Sequence, residues 1–197
     1  MINPDREAVR KRPGMYVGLT TDGTGLCNLI YSIVEFFLWV TKDFALTKID
    51  VELEADNSCT ITIFNFGLPT TISKFHDLTQ AEVIMTKLAG HPDSYSFIWG
   101  FQGIGPAPVN FLSKRLELKI WSGGIEYHLN FDEGVKQAPM SSMKTAKDQS
   151  GTSVQFWPDQ TVFFPHHFDS EKIEVRLREY MALTGNAEIK LKDKRKT

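Results

Sequence analysis

Between Leu26 and Leu46 apolar residues recur at three- and four-residue spacing. Leu26, Leu29, Ile30, Ile33, Phe37, Val40 and Phe44 share one face, which predicts a helix over this stretch. At 100° per residue Asn28, Ser32, Phe36 and Trp39 form an adjoining stripe. The period then changes to two. Ile49, Val51 and Leu53, followed by Cys59, Ile61 and Ile63, predict a hairpin turning at Asp56-Asn57 and ending in a second turn at Asn65–Pro69. Thr79 with Glu82 three residues later is a capping box for a short helix, AEVIMTKLA, stopped by Gly90 and Pro92. PAPVNFLSK reads as a loop running into a helix start. RLELKIW and IEYHLNF alternate as strands joined at Ser122-Gly123-Gly124, and a polar loop follows from Ser141 to Ser150. TSVQFW is a further strand. Asp169 or Ser170 caps a helix that turns Ile173, Leu177, Tyr180 and Met181 to the core, and AEIKLK is the last strand. Strands grouped as hairpins, with helices outside strict βαβ alternation, favour an α+β two-layer sandwich. No linker interrupts the pattern, so residues 1–197 are expected to form one domain.

Composition narrows the functional classes. The formal charge of −2, from 22 basic and 24 acidic residues, supplies no broad positive field, so direct DNA binding is not implied. Arg10-Lys11-Arg12 and the run Lys190, Lys192, Lys194, Arg195, Lys196 read as solvated termini. The longest apolar run, Ile33 to Val40, is broken by Glu35 and is far shorter than the roughly 20 residues a bilayer span needs. The first residues carry charge with no apolar stretch behind them, which is not a secretory signal, and a cytoplasmic location is expected. Cys27 and Cys59 lack CxxC spacing and read as reduced core residues.

The first chemical signal is Gly100-Phe101-Gln102-Gly103-Ile104-Gly105 before a helix start. Glycines let the backbone approach phosphates and aim N–H groups at them. This stretch is neither a P-loop nor a full dinucleotide fingerprint, and alone it is more often a tight turn than a phosphate cradle. Its neighbours add weight. In order, RKRPGMYVG, DGTGL, ADNS, AEVIMTKL, GIG…VNFLS, LEL, QAPM, GTSVQFWP and LKDKRK closely resemble the ATPase domain of the bacterial type II topoisomerase B subunits, those of gyrase and topoisomerase IV. The resemblance spans nearly the whole chain. It implies the GHKL, or Bergerat, fold, with helices on one face of a mixed sheet and ATP with Mg²⁺ held between them under a lid.

Carried over position by position, the implied site is incomplete. Ser32 stands where the family has the glutamate that activates water, and an ordinary serine hydroxyl is no general base near neutral pH. Phe36 stands at the magnesium-binding asparagine and offers no oxygen to a hard cation. Trp39 replaces an aspartate, and Glu35 matches another. Glu35 is the one acid left on that helix, about 60° around it from Ser32. Ile63 takes the place of the aspartate that accepts the adenine amino hydrogen, and Asn65 and Phe66 replace a glycine and an arginine. In the lid, sequence between Leu88 and Tyr95 is shortened, Trp99 and Gln102 replace a glycine and a histidine, and His128 replaces an arginine. Gly67, Gly103, Gly105 and Thr152 match family nucleotide-site positions, as does Asn110 beside the glycine loop. A fold keeps glycines at its turns whether or not a ligand binds. His166-His167 near Asp169 and Glu171 reads as a surface loop, since adjacent histidines converge poorly on a metal. The aromatics Phe36, Phe37, Trp39, Phe64, Phe66, Phe97, Trp99 and Phe101 are expected to fill the cleft.

Three readings follow: a pseudo-ATPase interaction module contacting a topoisomerase subunit or another protein, the ATP-binding domain of a working topoisomerase, or a binder of another small molecule in a rebuilt apolar pocket. The first is expected, with no catalytic residue, no cofactor and no metal. The chain opens almost at RKRPGMY and stops where the family's transducer begins, so a monomer is expected.

Overall fold

The computed structural model describes residues 3–74, 76–88, 103–145 and 149–195. Its elements run α1 (Pro4–Lys11), α2 (Gly14–Val17), α3 (Thr24–Val40), β1 (Thr47–Leu53), β2 (Cys59–Phe64), α4 (Gln80–Thr86), α5 (Ala107–Phe111), β3 (Ser113–Ser122), β4 (Ile125–Asp132), β5 (Val135–Lys136), β6 (Ser141–Lys144), β7 (Gly151–Pro158), α6 (Ser170–Thr184) and β8 (Ala187–Asp193). The strands form one sheet in the order β5-β4-β3-β7-β2-β1-β8, with β6 also pairing β4. Only β1 and β8 pair in parallel among the described strands, so the sheet is mixed.

Register turns the alternation into a core. Ile49, Ile63, Thr152, Ile120 and Tyr127 lie side by side across five strands. Val51, Ile61, Val154, Leu118 and Leu129 form the next row, and Leu53, Cys59, Phe156, Leu116 and Phe131 the third. Because side chains alternate faces along a strand, all three rows point the same way. Helix α3 packs there against β2, α5 against β3 and β7, and α6 against β8. The other face carries Asp50, Glu52, Thr60, Thr62, Gln155, Glu117 and Lys119, all partly exposed. This is the α+β two-layer arrangement the hydrophobic pattern predicts. Cys27 and Cys59 are buried and free.

Several boundaries differ from the pattern. Helix α3 stops at Val40 rather than near Leu46. The Thr41 hydroxyl donates back to the Phe37 carbonyl at 2.7 Å and accepts from the Thr47 hydroxyl at 2.8 Å, tying the chain to the start of β1. Phe44 therefore leaves the core face and is 37% exposed, its ring 6.2 Å from that of Phe66. Helix α4 ends at Thr86 in an extended Lys87, and the stop signals Gly90 and Pro92 lie outside the described residues. The supposed loop from Ser141 contains β6, which extends the sheet beside β4.

Neither basic cluster is a simple solvated terminus. Asn3 caps α1 by accepting from Asp5 N–H, with Pro4 and Asp5 in the first turn. Arg10 then donates to the Phe111 carbonyl and the Asp159 carboxylate, both at 2.8 Å. At the other end Arg195 bonds the Phe168 carbonyl and the carboxylate of Asp193, and Lys194 bonds Glu54. Lys190 and Lys192 do remain largely exposed beside Glu188 and Glu52, and Lys196 lies outside the described residues.

Candidate functional site

The stripe on α3 is the natural starting point. Asn28 donates to the Val17 carbonyl at 2.9 Å, and Ser32 donates its hydroxyl to the Asn28 carbonyl at 2.7 Å. Such back-bonding to position i−4 commits the serine proton to the helix itself. One turn on, Phe36 is fully buried and its ring lies 5.9 Å from that of Phe37. Trp39 is half-buried, with the Lys42 ammonium 4.9 Å from its ring centroid. Eleven of the 17 residues of α3 are buried, so the helix is enclosed on far more than one stripe.

Glu35 faces elsewhere. Its carboxylate accepts the phenol of Tyr180 on α6, whose ring sits edge-on to Tyr31 at 6.2 Å. Burial, and then the Glu35 carboxylate, push the Tyr180 phenol above its ordinary range, so this pair holds α3 to α6 with the proton on the tyrosine. Tyr180 as the partner of Glu35 is not legible in the sequence. The available signal is a tyrosine on the core face of a helix, since a buried phenol needs an acceptor.

On the sheet, Ile63 is fully buried and lies directly opposite Thr152. Thr152 is the one polar residue of its inward row besides the half-buried Tyr127, and its hydroxyl is used twice. It donates to the Phe66 carbonyl and accepts from Leu68 N–H, both at 2.9 Å, which pins the Asn65–Pro69 turn to β7. Gly67 lies between those two partners. A β-carbon there would come within 2.6 Å of the Trp121 carbonyl oxygen, a backbone atom that cannot yield cheaply. Close packing at position 67 and hydrogen bonding at position 152 therefore account for the glycine and the hydroxyl.

Gly103 and Gly105 lead into α5, and Gly105 adopts φ of +69°, which favours glycine. Asn110 on α5 is fully buried and donates to the Met85 carbonyl at 2.8 Å, joining α5 to α4. Its Oδ1 has no hydrogen-bond partner among the described residues. His128 is on the opposite face of β4 from the inward row, with Nε2 2.7 Å from Glu126 Oε1 but not aligned as a hydrogen bond. Phe97, Trp99, Gly100, Phe101 and Gln102 lie outside the described residues, as do positions 89–95 of the lid; of the other aromatics expected at the cleft, Phe36 and Phe37 are buried and Trp39 and Phe66 are half-buried. Phe64 points away from the inward rows and is 38% exposed. Among the described residues no three His, Cys, Asp or Glu side chains converge as a metal requires, and no helix is long and apolar enough to cross a membrane.

The structure thus brings Ile63, Thr152 and Gly67 together on one end of the sheet, with Ser32 and Phe36 on the helix packed over β2. At position 36 there is no oxygen for a cation, and at position 63 no acceptor for an amine.

Curated relatives match this chain along most of its length. The DNA gyrase B subunit of Rickettsia typhi is 40% identical over 193 residues, covering 96% of this chain and 24% of that protein. Its counterpart in Caulobacter vibrioides is 36% identical over 206 residues, covering 96% and 25%. The chloroplastic/mitochondrial counterpart of Nicotiana benthamiana is 35% identical over 199 residues, covering 94% and 27%. The chain therefore spans about a quarter of the length of these relatives. No family model matches it.

Proposed function

With the chain matching the GHKL ATPase domain of the DNA gyrase B subunit, we propose that it is a gyrase B-like domain that has given up ATP hydrolysis and tight ATP binding and serves as an interaction module associated with type II topoisomerases. One observation carries the reading: Ser32, Phe36 and Ile63, at the positions implied for the base, the metal ligand and the adenine acceptor, are each buried and committed to the fold. Removing a positioned general base costs about 10²–10⁴-fold in rate. An adenine amine buried without an acceptor costs about 1–3 kcal/mol. The residues that do match family positions support this reading too, because the packing of Gly67 and the two hydrogen bonds of Thr152 account for both without a nucleotide. Mg·ATP as the family holds it does not fit these side chains. The module acts through its surface on a topoisomerase subunit or another protein, in the cytoplasm.

Steady-state phosphate release with Mg·ATP tests the proposal. Purified protein should show background rates, and Glu35→Gln should leave them there. Turnover that survives purification and disappears with Glu35→Gln would overturn it and make Glu35 the base.

A further inference from the structure

A large cavity lies away from the α3–β2 region. It has a volume of about 710 Å³ and opens between α1, the end of α4 and the β4–β5 turn. That is within the range of about 300–1,000 Å³ usual for small-molecule pockets. Pro4, Leu78 and Val135 give it apolar walls, continued by the stems of Arg6, Lys87 and Lys136.

The frame is braced on every side. Asn3 Nδ2 donates to the Thr86 carbonyl at 2.9 Å, and Leu88 N–H donates to Asp5 at 3.2 Å, so α1 is laced to the end of α4. Arg6 Nε donates to the Glu133 carbonyl, tying α1 to the β4–β5 turn. Lys136 on β5 pairs with Glu82 on α4, closing the ring. A cavity held in this way is formed before a ligand arrives, which lowers the ordering cost of binding.

Its charges decide what it would take. Arg6 is paired with Glu7 at 2.8 Å, and Lys136 with Glu82. Lys87, half-buried in the wall, has no ion pair or hydrogen bond from its ammonium among the described residues. Among the described residues the lining thus combines apolar walls with one ammonium that has no ion-pair partner. An apolar body alone would leave that ammonium partly desolvated and unpaired, and a cationic ligand would be repelled. We propose that this cavity binds an amphipathic monocarboxylate, its hydrocarbon body against Pro4, Leu78 and Val135 and its carboxylate on the Lys87 ammonium.

Calorimetric titration of the whole chain with sodium decanoate, decanol and decyltrimethylammonium, all below their aggregation limits, tests this. Decanoate should saturate a single site, with decanol about tenfold weaker, the loss of one charge-assisted hydrogen bond, and the cation should give no saturable heat. Lys87→Gln should remove the preference for decanoate over decanol. Val135→Trp, at an exposed rim position that tolerates bulk, should weaken both while far-UV circular dichroism stays unchanged. Absence of saturable decanoate binding, equal binding of decanoate and decanol by the unaltered chain, or a preference that persists in Lys87→Gln would each overturn the assignment.

Discussion

At the scale of single residues the same atom can look like a relic of ligand binding or a working part of the fold, and hydrogen bonds separate the two. Thr152 is such a case, since its hydroxyl holds both Phe66 and Leu68. Thr152→Val keeps the shape and strands a buried N–H, so it should cost about 1–3 kcal/mol in urea unfolding, whereas Thr152→Ser should cost less. A Val variant as stable as the parent would show that the staple contributes nothing. Phe36 poses the complementary question. Burial of a ring where the resemblance implies an asparagine is a gain in core volume, so Phe36→Asn should destabilise by about 2–4 kcal/mol through the cavity and an unpaired amide. A change under about 1 kcal/mol would mean that the site relaxes around the smaller side chain. Residue chemistry at positions 32, 36 and 63 is legible from sequence, because an absent carboxylate or amide is a fact of composition. That Thr152 and Gly67 answer to the Asn65–Pro69 turn is not, because it depends on a carbonyl of β3 more than fifty positions away in the chain.

Among the elements, α1 departs most from its sequence reading. Its signals are present in Asn3-Pro4-Asp5, a cap followed by proline and an acid in the first turn, but the basic run behind them reads more readily as charge than as helix. The docking of α1 has a pH signature. Burial raises the carboxyl pKa of Asp159, yet hydrogen bonds from Thr161 and Arg10 outweigh burial and leave it below the ordinary aspartate value. A depressed carboxyl contributes stability that is present above the unfolded-state pKa of about 3.9 and is lost as pH falls through the folded value. Urea unfolding at a series of pH values should therefore show the parent well above Asp159→Asn at neutral pH, with the two converging below about pH 4. A gap that stays constant into the acid would assign the effect to packing. Glu82 belongs to the same frame: burial again raises its carboxyl, while Lys136 and the Thr79 cap pull it lower on balance. The capping box at Thr79 and Glu82 is legible in the sequence, since its signal is local, four residues of one helix. The end of α3 is not, because Thr41 answers to Thr47, which no helical periodicity contains.

For the molecule as a whole, the alternation along each strand dictates the two-layer class, because three inward rows can only be covered from one side. Strand order is beyond that pattern, since β6 is too short and too polar to announce itself and nothing in AEIKLK says which strand it joins. The proposed loss of tight ATP binding predicts a domain indifferent to nucleotide. A ligand bound only by the folded state stabilises it by RT ln(1 + [L]/Kd) and so raises the melting temperature; about one millimolar Mg·ATP should therefore leave thermal unfolding unmoved, whereas a Kd about a hundredfold below that concentration would add some 2.7 kcal/mol. A clear upward shift would restore the reading of a working ATP-binding domain.

The parallel pairing of β1 with β8 joins residues 47–53 to residues 187–193 and has a meaning in time as well as in space. A chain leaving the ribosome completes β1 early, then must hold it with one edge unpaired until residues 187–193 have emerged. Contacts so distant in sequence are slow to form, and an unpaired edge of Ile, Val and Leu is the usual starting point for aggregation. Expression of a chain ending at Gly185 should accordingly give insoluble protein at temperatures where the full sequence stays in solution, and adding residues 186–195 as a separate peptide during refolding should recover part of it.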